Sequence, residues 1–173
     1  FGQVRLALEN GADALILFRR QTVFADDMES DQGWSVGAPG DDATTGIWER
    51  VDPNGTWSGG DPVQPEDDHT PDPGVICWVT GNAPAGSGDG VNDIDNGTTT
   101  LFSDLYNVSG STIAEVVFWR WYSNDQGASP NNDEMVVSIS NDAGDSWTTL
   151  EIVDENANDW VFASFLVSSV VVP

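Results

Sequence analysis

This chain of 173 residues carries 29 Asp and Glu against five Arg and no Lys, a formal net charge of -24 at neutral pH. A surface this anionic repels phosphate backbones and acidic membrane faces, whose binding depends on Lys and Arg releasing condensed counterions, so nucleic acid is excluded as a partner. With 39% hydrophobic residues, 10% aromatics and eight Trp, the chain is not a disordered acidic tail and has the apolar side chains for one core.

Helical periodicity is nearly absent, while 18 Gly and nine Pro interrupt short apolar runs, a pattern that predicts an all-β, jelly-roll-like antiparallel sandwich with long acidic loops. Two strand-like runs flank an Asn10-Gly11 turn, so residues 3–18 read as a β-hairpin, with a helix from Leu15 to Arg20 as the alternative. Residues 1–23 form this N-terminal unit, a strand-exchange or linker segment, and residues 24–173 the sandwich. From 34 to 73 the chain reads as loop, with strands only near 34–36 and 47–51, and loops that long are usually functional or ordered by a ligand. Further strands are predicted at 75–80, 98–103, 113–123, 134–140, 147–153 and 160–168. In the 113–123 strand Trp119 and Trp121 fall on one face and Phe118, Arg120 and Tyr122 on the other, which predicts a central strand covered on both sides.

Cys77 is the single cysteine and has no partner for a disulfide or for thiol-type metal spacing, so it is expected to be a small buried apolar residue. The apolar stretch at 161–172 is broken by serines and falls short of the roughly 18 residues a membrane-spanning helix requires, so no membrane insertion is expected. The chain opens at Phe1 without an initiator Met and is expected to be a piece of a longer, secreted polypeptide, located outside the cell or at its surface. Three sequons, at Asn54, Asn96 and Asn107, are weak candidates for glycosylation.

The acids are expected in loops rather than on strands, and they cluster: Asp26, Asp27 and Glu29; Asp41 and Asp42; Glu66, Asp67 and Asp68; Asp89, Asp93 and Asp95; Asp133 and Glu134. Carboxylate clusters suit hard cations such as Ca²⁺. Lys-poor, Asp-rich composition also fits adaptation to high salt, but only the calcium reading predicts clustering in space. The sequence around Ser140 to Trp147 fits the Asp-box pattern S-x-D-x-G-x-x-W, in which Asp142 bonds a tight turn, Gly144 takes positive φ and Trp147 packs beneath the hairpin. That pattern is specific as structure and weak as function.

The ordered segments around Asp26-Asp27-Met28-Glu29, Gly33-Trp34, Gly46-Ile47-Trp48-Glu49-Arg50, Gln64-Pro65-Glu66-Asp67-Asp68-His69-Thr70, Cys77-Trp78-Val79-Thr80-Gly81, Asp93-Ile94-Asp95, Trp119-Arg120-Trp121-Tyr122 and the Asp box carry a family likeness. Over about residues 24–166 the chain resembles the MAM-like jelly-roll domains found C-terminal to secreted bacterial metallopeptidases of the carboxypeptidase and immune-inhibitor-A types. The resemblance implies a calcium-stabilised, non-catalytic accessory sandwich. It departs from the family's pattern after the 161–172 region, where such domains continue into further strands ending in an acidic pair.

For Ca²⁺ the leading candidates are Asp27 and Glu29 joined by Asp93 and Asp95, with Glu66, Asp67 and Asp68 around His69 as a second set. The spacing of Asp93, Asp95 and Gly97 is not that of an EF-hand. A catalytic zinc needs more N or S ligands than the lone His69 supplies. No G-x-S-x-G elbow is present, and carboxylate pairs carry no information among 29 acids, so no enzymatic activity is expected. Two functions remain. One is a structural or adhesive module that assembles with copies of itself, or with neighbouring domains, by β-strand addition into a fibre. The other is an accessory domain binding carbohydrate or matrix through exposed aromatics, with Trp57, Arg120 and Tyr122 as candidate ligand-binding residues.

Overall fold

The computed structural model describes residues 2–7, 13–18, 22, 24–94, 96–109, 111, 113–127 and 129–172, with side chains from residue 22 onward. Among these residues the molecule is all-β, with twelve strands and one short 3₁₀ turn. The strands are β1 (Gly2–Ala7), β2 (Asp13–Phe18), β3 (Ser35–Val36), β4 (Trp48–Val51), β5 (Thr56–Ser58), β6 (Asp61–Gln64), β7 (Cys77–Thr80), β8 (Leu101–Phe102), β9 (Glu115–Arg120), β10 (Met135–Ile139), β11 (Thr148–Val153) and β12 (Val161–Leu166).

They pair antiparallel in six two-stranded sheets, and the order of pairing is nested. β3 pairs with β8, inside that β4 with β7, and inside that β5 with β6. In the second half β9 pairs with β12 around the β10–β11 hairpin. Each half is therefore a long hairpin closed from its ends inward. The N-terminal hairpin is present as β1–β2, with Gly2 opposite Phe18 and Ala7 opposite Asp13, and the Asp13–Phe18 segment is a strand rather than a helix. The Asn10-Gly11 turn itself lies outside the described residues.

Two departures from expectation have physical causes. The β5–β6 hairpin occupies a stretch predicted as loop; its turn is Gly59-Gly60, with φ of 61° and 105°, the positive values that a tight two-residue hairpin demands and glycine supplies. β9 is not a central strand: among the described residues it pairs only with β12, and Val117 and Trp119 on its outer face are each about half exposed. The acids do fall largely in loops, with Asp13, Glu49, Asp61, Glu115 and Glu151 on described strands.

The interior is built from small side chains. Cys77 and Val79 alternate inward from β7, and Ala83, Val153, Ala163 and Val167 complete the buried apolar set. The large rings are half-buried around it. Phe118 stacks on Phe165 at 6.1 Å across the inner face of β9–β12, and Trp34 meets Trp78 at 6.4 Å. Arg120 on β9 forks onto the Glu151 carboxylate of β11 through Nε, at 3.0 Å, and Nη2, tying the two sheets of the second half together. The halves meet where Trp121 Nε1 donates to the Val63 carbonyl at 2.8 Å and where Phe102 lies 5.5 Å from Trp147.

Candidate functional site

Two features stand out, an acid-lined cleft and an aromatic face. The cleft, about 440 Å³, is lined by Asp27, Glu29, Thr70, Pro71, Pro73 and Gly74. Its acidic wall is a series of turns made by carboxylates on backbone amides. Asp26 Oδ1 accepts from Met28 N at 2.7 Å while its Oδ2 accepts from Trp34 Nε1 at 2.8 Å, and Asp27 Oδ1 accepts from Glu29 N at 3.2 Å. Arg50 reaches the Met28 carbonyl at 2.7 Å from β4. Across the cleft, Glu29 Oε1 accepts from both Val75 N and Ile76 N at 2.7 Å, which ties the 26–29 turn to the chain entering β7. Thr70 donates its hydroxyl to Asp68 Oδ2. A side chain at Gly74 would place its Cβ 2.3 Å from Thr70 Oγ1, so glycine there lets the loop close.

The cleft thus brings Asp27 and Glu29 against the loop that carries the second predicted set, Glu66, Asp67 and Asp68. Asp93 is positioned by its backbone: a Cβ on Gly46 would stand 2.4 Å from Ile94 N and 2.7 Å from the Asp93 carbonyl, and one on Gly81 1.9 Å from the Asn92 carbonyl. Asp95 lies outside the described residues. Among the described residues no group of three or more His, Cys, Asp or Glu side chains is arranged to hold a metal ion.

Asp41 and Asp42, which the sequence reading noted only as a cluster, close the β3–β8 end of the first half. Asp41 Oδ2 accepts from Ala38 N at 2.9 Å and Thr100 N at 2.7 Å, and its Oδ1 accepts the Thr100 hydroxyl at 2.8 Å. Desolvation pushes the Asp41 carboxyl upward, but these three hydrogen bonds outweigh it and hold the group below its ordinary value. Asp42 Oδ1 accepts from Thr98 N at 3.0 Å beneath Gly97. The Asp box has the predicted turn geometry. Ser140 Oγ donates to Asp142 Oδ1 at 2.7 Å and accepts from Gly144 N at 2.8 Å, Ser146 N donates to Asp142 Oδ1 at 2.9 Å, and Gly144 has φ 95°. Hydrogen bonds from the Ser146 and Ser140 side chains and the Ser146 amide pull Asp142 down to about 2.

Cys77 is buried and unpaired. Burial, reinforced by the negative charges of Asp68 and Asp52, pushes its thiol up to about 12, so it stays protonated and inert at neutral pH.

The candidate ligand-binding residues are dispersed in their roles. Arg120 is committed to Glu151, and the Tyr122 hydroxyl donates to the Asp133 carbonyl at 2.6 Å. Burial, aided by repulsion from Asp133, Asp154 and Glu134, outweighs the hydrogen bond from Asn124 and raises the Tyr122 phenol above its ordinary value. Trp57 is 50% exposed, as expected, and folds over Gly55, where a Cβ would sit 2.4 Å from its Cη2. The aromatic face lies elsewhere. Trp119 and Phe162 are cross-strand partners on the outer side of β9–β12, 5.3 Å apart, and are 44% and 51% exposed. His69 stacks on Trp119 at 3.6 Å and 17°, and Trp160 stands edge-on to His69 at 6.1 Å. Trp160 Nε1 donates to the Asp67 carbonyl at 3.4 Å, pinning the His69 loop to the sheet. Strand alternation in 113–123 had placed Trp119 on one face; nothing in local sequence linked it to His69, fifty positions earlier.

Of the sequons, Asn54 turns its amide inward to the Ala83 carbonyl at 3.0 Å, whereas Asn96 and Asn107 are exposed. No protein-family model matches the chain, and neither a curated protein nor a solved structure does.

Proposed function

We propose that this chain is a non-catalytic extracellular structural or adhesive module, a jelly-roll-like sandwich stabilised by Ca²⁺ that joins copies of itself or neighbouring domains of a longer secreted chain by β-strand addition. The nested pairing carries this reading. A jelly roll is a long antiparallel hairpin rolled on itself, whose strands pair from the ends inward, and the β3–β8, β4–β7, β5–β6 series follows that order. Every described strand pairs with a single other strand, and apart from β5, where Trp57 bridges Gly88, each has a free edge of backbone donors and acceptors that an incoming strand can satisfy. The β1–β2 hairpin suits the role of incoming segment: three of the five Arg, at positions 5, 19 and 20, precede residue 22, against only Glu9 and Asp13, so a near-neutral hairpin meets a strongly acidic remainder.

Calcium enters through Asp27 and Glu29, whose carboxylates face the Thr70, Pro71 and Gly74 side of the cleft, with Asp68 beside Thr70. Hard oxygen donors of this kind fit Ca²⁺, and a cation there would cross-brace two loops. Thermal melting in EDTA against excess Ca²⁺ tests it: a hundredfold excess over the dissociation constant predicts about 3 kcal/mol of stabilisation. Light scattering on purified full-length protein tests assembly, with a concentration-dependent series of oligomers expected and a strict monomer at all concentrations contradicting it.

A second reading, a carbohydrate- or matrix-binding accessory domain of a secreted hydrolase, is favoured by one observation. The Trp119–Phe162 pair turns large rings outward where a folded core would bury them.

A further inference from the structure

We propose that the outer face of β9–β12, with the His69 loop, is a binding platform for an amino-sugar polysaccharide; this rests on the accessory-domain reading and gives it a location and a ligand class. A pyranose ring presents a flat face of C–H bonds that packs on an aromatic surface, while its hydroxyl and amino groups point sideways and require polar partners. Both halves of that requirement meet here. Trp119 and Phe162 leave about half of their rings exposed, 5.3 Å apart and tilted by 60°, and the exposed His69 ring lies parallel over Trp119 at 3.6 Å, so a sugar would meet the outer face of His69 beside the open parts of the two larger rings. The arrangement is held before any ligand arrives, because Trp160 contacts His69 edge-on and hydrogen-bonds the Asp67 carbonyl of the same loop. Pre-ordered rings lose little entropy on binding.

The polar rim is acidic on both sides. Glu66 and Asp67 are exposed on the His69 loop, and along the same outer face Ser164 donates to Glu115 across the strand pair. Cations are scarce: of the two Arg after residue 21, Arg50 is engaged with the Met28 carbonyl and Arg120 with Glu151. A uronic or sulfated glycan would meet only like charge, whereas the ammonium groups of glucosamine units would gain carboxylate partners and a ring face to rest on. Trp57, equally exposed, stands over Gly55 with no second ring beside it among the described residues, so the paired rings of β9–β12 offer the larger surface.

The test is calorimetric titration of the full-length protein with a chitosan hexamer, with cellohexaose and heparin as comparison ligands. Trp119→Ala and Phe162→Ser should each weaken chitosan binding by about tenfold or more. Leu105→Ser, at a 74% exposed position in the loop after β8, should leave it unchanged, cellohexaose should bind more weakly, and heparin not at all. Chitosan affinity unchanged in both ring variants overturns the platform and leaves glycan binding to another surface. Equal affinity for chitosan and cellohexaose overturns the amino-sugar assignment, and no binding to either oligosaccharide overturns the accessory reading together with the platform. Because Phe162 is half exposed, Phe162→Ser decides the matter if Trp119→Ala melts at a lower temperature than the parent protein.

Discussion

The loops and short strands between residues 26 and 104 and the longer strands between 115 and 166 reach order by different means. In the first region strands run two to four residues, too short for ladder hydrogen bonds to satisfy the backbone, and carboxylates take over that task. Asp26, Glu29, Asp41, Asp42 and Glu49 each accept backbone N–H groups, several from residues far away in sequence. In the second region strands run five or six residues, the ladders are largely self-sufficient, and side chains pair as rings or as the Arg120–Glu151 fork. The lesson is that the net charge of -24 is not a uniform coat. Part of it is structural, because an ionised carboxylate accepting an amide makes a stronger bond than a neutral acceptor.

The largest expected effect breaks the first region by sterics. At Gly81, φ is +76° and a Cβ would fall 1.9 Å from the Asn92 carbonyl, so Gly81→Ala combines left-handed strain with a backbone collision. A loss of about 3 kcal/mol or more in chemical denaturation is expected. Gly86→Ala, with φ +80° and nothing within 4 Å, isolates the strain alone and should cost about 1 kcal/mol. Equal losses in the two variants would refute the close packing of the 92–94 loop on Gly81.

In the second region the sharpest test is Arg120→Ala. The pair is partly buried, at 14% and 25% side-chain exposure, and removing the guanidinium strands Glu151 between two sheets. A loss of about 2 kcal/mol is expected, little relieved by salt because the pair is shielded from solvent. An effect abolished by 1 M salt would place the pair on the open surface instead. Asp41→Ala comes next, with about 1–2 kcal/mol expected from three lost hydrogen bonds. Its signature is local: the Ala38 and Thr100 amides should exchange with solvent faster while those of β9–β12 keep their protection.

Much of the fold was legible because it rests on local signals. The β1–β2 hairpin strands, the β-branched runs and the Asp box each announce themselves within a few residues, and the described strands fall where those signals place them. The Gly59-Gly60 hairpin carried an equally local signal, obscured by the Pro and Asp residues around it. The nesting of strand pairs was not legible, since Trp48 opposite Thr80 and Val161 opposite Arg120 are choices made by tertiary contact. The same limit applies to function. The sequence offered Trp57 as an exposed aromatic, but the His69–Trp119 stack joins two segments whose proximity depends on how the halves meet. Arg120 and Tyr122 meet Glu151 and the Asp133 carbonyl, partners on other segments that their local sequence does not indicate.

The smallest expected effect concerns an acid in the second region that, like those of the first, accepts a backbone N–H group. Asp142 is held at about 2 by Ser146 and Ser140, below its ordinary 3.8. A carboxyl depressed in the folded state contributes stability that is fully present above the unfolded value and is lost as pH falls through the folded one. Its contribution should therefore persist from neutral pH to about 4 and fade between there and about 2. Trp147 reports the change, since its ring lies against Gly144 and Phe102 and is otherwise half open to water. Its fluorescence should shift within that window in the parent protein and should not shift in Asp142→Asn. Carboxyl resonances that place the Asp142 midpoint at the ordinary 3.8 would show that the turn is held by the backbone alone, and would separate this acid from those that brace the first region.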